Sequence, residues 1–261
     1  MSLSPVELKN ALIGALTETV KEESSLAVAF SGGIDSSLLA QLCNILGFKV
    51  TLLTVGFPGC PDIDFSKVIA PKLGLPHKLL ELNRDDFYNK LEYIVKKIGC
   101  GNVSHIENCL AFYYVGVLAQ QNALRSILTA NGCDELFCGY DRFRVIYEFG
   151  YARILEFIHQ KVENEIILMN EVKSITSELG VKTIHPFLSE RLSSVAMKIS
   201  IDNKIKGCDD LVRKHILREV ALMIGVPREA ATKPKKAIQY GSLIHKNFKA
   251  LRPFRAVSIH S

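Results

Sequence analysis

Apolar residues follow two rhythms along the first half of this chain, and their alternation predicts its architecture. Short apolar runs, "LAVAF" (Leu26–Phe30), "KVTLLTV" (Lys49–Val55), "HKLLEL" (His77–Leu82) and "SILTA" (Ser126–Ala130), read as strands. Between them, "SSLLAQLCNIL" closed by Gly47, Asp64–Leu73 stopped by Gly74, Arg84–Lys97 and residues 106–122 read as helices. Strands separated by helices predict a parallel sheet with right-handed crossovers. Ahead of the first strand, Leu8, Ala11, Leu12, Ala15 and Leu16 share one helical face. Ser4 as N-cap, Pro5 at N1 and Glu7 at N3 make a capping box for that helix. After about residue 142 only helical periodicity remains, in "RILEFIHQKVENEIILMNEV", "LSERLSSVAMKIS" and "DDLVRKHILREVALMIG". The expectation is an α/β core over residues 1–145 and a helical lobe over 146–261, packed together as one unit.

The first strand runs into "SGGIDSS", Ser31 to Ser37, and then into a helix. A strand, a glycine turn and a helix N-terminus make an anion site, because the first turn of the helix presents unpaired N–H groups. Gly32 and Gly33 let the backbone turn and approach a ligand closely, and Ser31, Ser36 and Ser37 add hydroxyl donors. The loop lacks both G-x-x-x-x-G-K-[ST] and G-x-G-x-x-G, so it is neither a Walker A loop nor a dinucleotide fingerprint. Asp35 repels a phosphate unless a Mg²⁺ stands between them. Read without that metal, Asp35 is an N-terminal helix residue of the kind that suits a cap. Asp134 in "NGCDELF" carries the same two readings.

Composition narrows the classes. The net charge is +5, a mild signal for anionic ligands, with no zinc-finger or arginine-rich element to argue for nucleic acid. There is no apolar run of membrane-spanning length and no signal-peptide pattern. Seven cysteines without a C-x-x-C pair read as reduced thiols, which predicts a cytoplasmic protein.

Five segments in register carry a resemblance. "SGGIDSS" resembles the pyrophosphate loop of the PP-loop ATP pyrophosphatases. "TVGFPGCPDI" (Thr54–Ile63), "TANGCDELFCGYDRF" (Thr129–Phe143) and "IHPFLSERL" (Ile184–Leu192) are similar to segments of asparagine synthetase. "KPKKAIQYGS" (Lys233–Ser242) resembles that family's lysine-bearing loop. The resemblance implies a Rossmann-like sheet of the adenine nucleotide alpha hydrolase type, with ATP and Mg²⁺ as cofactors. It implies that Ser31, Gly32, Gly33, Asp35, Ser36 and Ser37 cradle pyrophosphate, and that Asp35 and Asp134 hold the metal. Ala29, Val55, Ala130 and Gly132 are implied at the nucleotide; from sequence alone Ala29 and Val55 read equally as strand core. Lys235, Asn131 and Glu135 take the catalytic positions, Lys235 as the cation that stabilises charge on the phosphates. The implied reaction is adenylation of a carboxylate, aspartate or similar, with release of pyrophosphate, followed by amidation with ammonia.

Two departures qualify the match. Met1 is followed by Ser2 rather than by the cysteine of a glutaminase domain, so ammonia is expected free or from a separate glutaminase subunit. The family signature has Glu three residues before the Asp, where this chain has Asn131, an amide that cannot act as a base. Cys133 beside Asp134 reads as a small-residue replacement ahead of a reactive thiolate. The alternatives are a tRNA-modifying PP-loop adenylating enzyme, with nucleic acid disfavoured by the missing C-x-x-C pairs, and a nucleotide-binding subunit without turnover. A homodimer is compatible with the sequence, a membrane partner is not.

Overall fold

A computed structural model describes residues 3–20, 23, 25–99, 101–234 and 237–255. Five strands, β1 (Ser25–Ala29), β2 (Lys49–Gly56), β3 (His77–Glu81), β4 (Ser126–Leu128) and β5 (Lys182–Ile184), form one sheet in the order β3-β2-β1-β4-β5. Every pairing is parallel, with Val28 opposite Leu52 on one side and Leu128 on the other. The helices are α1 (Pro5–Thr19), α2 (Ile34–Ile45), α3 (Pro61–Leu73), α4 (Arg84–Ile98), α5 (Val103–Gln121), α6 (Cys133–Leu136) and α7 (Arg142–Tyr147). They continue as α8 (Tyr151–Ser177), α9 (Glu190–Met197), α10 (His215–Met223), α11 (Arg228–Thr232), α12 (Ile238–Gly241) and α13 (Ile244–Arg255).

The predicted alternation holds, and local chemistry accounts for the boundaries. The α1 capping box forms: the Glu7 amide donates to Ser4 Oγ and the Ser4 amide to the Glu7 carboxylate, and the five predicted residues are buried. Gly47 follows α2 at φ +82°, a left-handed conformation that costs glycine no Cβ clash. Helix α3 begins three residues before its predicted start, because Pro61 suits N1 and Cys60 caps it through Sγ.

Two features differ from the sequence expectation. Residues 146–261 are not wholly helical, since β5 pairs with β4 at the sheet edge. Its three residues are too short to register as a period of two. The third C-terminal helix starts at His215 rather than Asp209. Asp210 accepts the backbone N–H groups of Lys206, Val212 and Arg213 and contacts the His215 ring, which folds 206–214 into a loop instead of a helical turn.

The inner strands β1, β2 and β4 are buried on both faces, whereas the edge strand β3 has no buried residue. One core joins α1, α2, α9 and α10 against Leu26, Val28 and Leu52; the other joins α4, α5, α8 and Ile244 of α13 against Ala27, Leu53 and Ile127. Helix α1 packs on α9 and α10, so the N-terminal helix and the C-terminal helices share one layer. From β1 the chain steps outward to β2 and β3, then returns to place β4 on the other side of β1. The crevice at the C-terminal ends of β1 and β4 is therefore a switch point, where open α/β sheets bind ligands.

Candidate active site

The loop after β1 and the loop after β4 meet at this crevice because Val28 and Leu128 are register partners. Gly32 adopts φ +73°, and a Cβ there would lie 2.9 Å from the Phe65 ring, so only glycine fits the turn. The serines brace the loop: Ser36 Oγ contacts the Ser31 amide and the Gly33 carbonyl, and Ser37 Oγ donates to the Gly32 carbonyl. Gly33 is the N-cap of α2 and no side chain caps that helix, which leaves its first-turn amides available to an anion.

Asp35 and Asp134 come together, as the resemblance implies, but around a residue that sequence reading missed. Lys214 Nζ lies 2.6 Å from Asp35 Oδ2 and 2.7 Å from Asp134 Oδ1. Burial opposes the lysine's charge, yet the two carboxylates outweigh it and hold the Lys214 pKa above the ordinary lysine value. Gly139 makes room: a Cβ there would stand 2.3 Å from Lys214 Cε and 1.9 Å from Asp134 Oδ1. Arg213 and Lys214 both sit at positive φ, 51° and 54°, at the end of the loop organised by Asp210. The buried Arg218 guanidinium fastens that loop by donating to the carbonyls of Arg213, Val212 and Ala231. No sequence motif marked Lys214, because "DDLVRKHILREV" reads as one amphipathic helix in which it is a surface cation.

A cavity of about 460 Å³ opens beside the acid pair. Ala29, Ser31, Asp35 and Ser36 line it from the β1 side, Ala130, Asn131, Asp134 and Glu135 from the β4 side, and Lys161 and Glu165 from α8. Val55 is buried in the core and does not line the cavity, nor do Gly32, Gly33, Ser37 and Gly132. Gly33 lines a second, smaller cavity with Ser31, Asp35, Ser36, Asp62, Lys233 and Pro234. Gly132 turns the chain into α6 at φ +105°, and its amide donates to Glu135. The Tyr140 hydroxyl bonds the same Glu135 carboxylate. Burial and the neighbouring Glu165 and Asp134 carboxylates push the Glu135 pKa well above the usual carboxylate range. Cys133 is fully buried beside these acids, which raises its thiol pKa and keeps it inert, as its reading as a small replacement expects. Lys235 lies outside the described residues; on either side of it, Pro234 lines the smaller cavity and Ala237 the larger.

Comparison with known proteins gives the family and agrees with the fold. The asparagine synthase family model matches residues 7–174 and 151–260. The chain belongs to the asparagine synthase family. It is 28% identical, over 90% of its length, to 49% of the putative asparagine synthetase [glutamine-hydrolyzing] 1 of Methanocaldococcus jannaschii. Asparagine synthetase B [glutamine-hydrolyzing] of Escherichia coli is 23% identical over 82% of this chain and 41% of its own. The chain thus spans about half or less of the length of these relatives. Among solved structures, NMN synthetase from Francisella tularensis overlays with a TM-score of 0.50 at 14% identity, covering 99% of both chains, which shows the shared fold.

Proposed function

We propose that this chain is an ATP-dependent, AMP-forming amide ligase that adenylates a carboxylate, aspartate or a similar acid, and passes the acyl group to ammonia. The observation that carries the reading is the acid pair Asp35–Asp134, gathered from two strand ends beside a glycine loop with free helix amides. ATP would lie with its β and γ phosphates on Ser31, Gly33 and Ser36 and its nucleoside toward Ala29 and Ala130, the expected residues that line the two cavities. The donor set fits Mg²⁺. Among the described residues Asp35 Oδ1 is buried with no hydrogen-bond partner, and hard carboxylate oxygens with phosphate oxygens are what Mg²⁺ takes. Asp35 and Asp134 would hold the ion, which when bound offsets phosphate charge. Lys214 keeps the two carboxylates converged, and Lys235 supplies the cation for charge that develops on the α phosphate. Ammonia would come free or from a separate glutaminase; the relatives' names include glutamine hydrolysis, and this chain matches about half or less of each.

The test is pyrophosphate release from ATP across the twenty amino acids, with and without ammonium. Release that depends on one amino acid and yields AMP and an amide supports the proposal. Absence of pyrophosphate with every acid refutes it.

A further inference from the structure

Within the proposed reaction, the amine must be received beside the acyl-adenylate, and at the signature position expected to carry a carboxylate the chain has an amide, Asn131, which lines the cavity. A carboxylate from another element stands against it. Asn131 Nδ2 donates to Glu165 Oε1 at 2.6 Å, and both residues line the same cavity as Asp35 and Asp134. Glu165 comes from α8, more than thirty residues from the signature, and α8 packs directly on α6. Lys161, one turn earlier on α8, also lines the cavity, with its Nζ 5.5 Å from the centre of the Tyr140 ring.

We propose that Glu165 is the carboxylate that binds the incoming ammonium and takes its proton, with Asn131 as its positioning residue. The inference rests on the ligase reading above. Among the described residues, Asn131, Glu135, Tyr140 and Lys161 bear on Glu165. Asn131 orients one oxygen through a donated hydrogen bond. Both oxygens of the neighbouring Glu135 are already engaged, one by the Gly132 amide and one by the Tyr140 hydroxyl. Lys161 adds a cation on the same wall, so the wall carries both signs. In the step itself, ammonium gives one proton to Glu165, and the lone pair released attacks the acyl carbon of the acyl-adenylate. The C–N bond forms and the acyl C–O bond to AMP breaks. AMP leaves with that electron pair, and the nitrogen sheds a second proton to solvent.

The experiment compares the two half-reactions in the full chain, with L-aspartate and then the other nineteen amino acids as acids. Half-reaction one is ATP–pyrophosphate exchange; half-reaction two is amide formation with ammonium. In E165Q, exchange should stay within about threefold of the wild type while amide formation falls about 100-fold, the scale of a lost general base. Hydroxylamine, already neutral near pH 7, should shrink that loss to below about tenfold. Returning a carboxylate in N131E/E165Q should recover at least about tenfold of the amide rate. The inference is overturned if both half-reactions fall together, if amide formation is unchanged, if hydroxylamine shows the full loss, or if folded N131E/E165Q recovers nothing. If N131E/E165Q does not fold, the E165Q split alone decides. A wild type without exchange for any acid instead refutes the ligase reading itself, and the inference falls with it.

Discussion

Replacing Lys214 by Met removes one charge and leaves the side-chain stem that fills the space beside Gly139. The lysine nitrogen is within 2.7 Å of two carboxylate oxygens and its side chain is 1% exposed, against 17% for Asp35 and 11% for Asp134. At an effective dielectric constant near 20, each contact is worth about 6 kcal/mol before desolvation. Breaking a buried pair costs about 3–5 kcal/mol because the remaining charge stays buried. Here two carboxylates are left facing each other across at most about 5 Å, and their partial exposure relieves some of the repulsion. The expected loss is about 3–4 kcal/mol near neutral pH, and it shrinks in acid as one carboxyl takes up the proton that lysine no longer replaces. Urea unfolding followed by circular dichroism, in chelator and then in Mg²⁺, separates the contributions. The variant should regain about 1.4 kcal/mol at ten times its Mg²⁺ dissociation constant, while the wild type gains less. A loss under about 1 kcal/mol would show that Lys214 is not holding buried charge, and Mg²⁺ without effect on the variant would refute the acid pair as a metal site.

The other expectations are shorter. D35N should cut Mg²⁺-dependent pyrophosphate release by about 100-fold or more, as loss of an electrostatic transition-state contact does, with far-UV circular dichroism unchanged; turnover like the wild type's would remove Asp35 from the metal role. G132A should destabilise by about 2–4 kcal/mol in urea, because φ is +105° and a Cβ would sit 2.6 Å from the Phe187 carbonyl oxygen; a neutral effect would mean the β4 loop relaxes freely. His185 is held by burial near pKa 4 against the usual 6.5, with Thr129 on Nδ1. Both states are neutral above pH 7; below about 6.5 the unfolded chain takes up a proton that the folded one refuses until about 4, so stability falls across that window. H185F should flatten that part of the pH–stability profile by up to about 3 kcal/mol, and an unchanged slope would clear His185 of the effect.

Much of this was legible before the structure, and what was not shares a cause. The sheet followed from apolar runs whose length and spacing are local properties, and the α1 cap from three residues within a stretch of four. That Asp35 and Asp134 meet followed from topology, since parallel strands deliver their loops to one edge. Lys214 was hidden because its conformation is set by Asp210, four residues upstream, and by Arg218, which fastens the loop from within α10. Periodicity sees the apolar face of 216, 217 and 220 and extends it backward through residues that the carboxylate has pulled out of the helix. Glu165 was hidden differently. Its helix was read correctly, yet which of its polar residues faces the cavity depends on how α8 lies on α6, a contact that no local pattern encodes. The three residues of β5 are ordered by β4 rather than by their own propensity.

The lysine also resolves a difficulty that the phosphate loop raises. A carboxylate in an anion cradle is unfavourable in both directions: without metal two acids repel each other, and without compensation they repel the phosphates. Asp35, Asp134 and Lys214 together carry a net charge of about −1, taking each group in its usual ionised form. Adding Mg²⁺ turns the same cluster to about +1, the sign that a polyphosphate requires. A pair of acids with no lysine would stand at about −2 without the ion and near neutrality with it, so it would be least stable empty and a weaker anion site when filled. Lys214 shifts both states in the useful direction by one unit of charge. That is why a residue 1% exposed, outside every recognised motif, should affect stability in chelator and polyphosphate affinity in Mg²⁺ at once. A variant that lost one property and kept the other would separate the lysine's structural role from its electrostatic one.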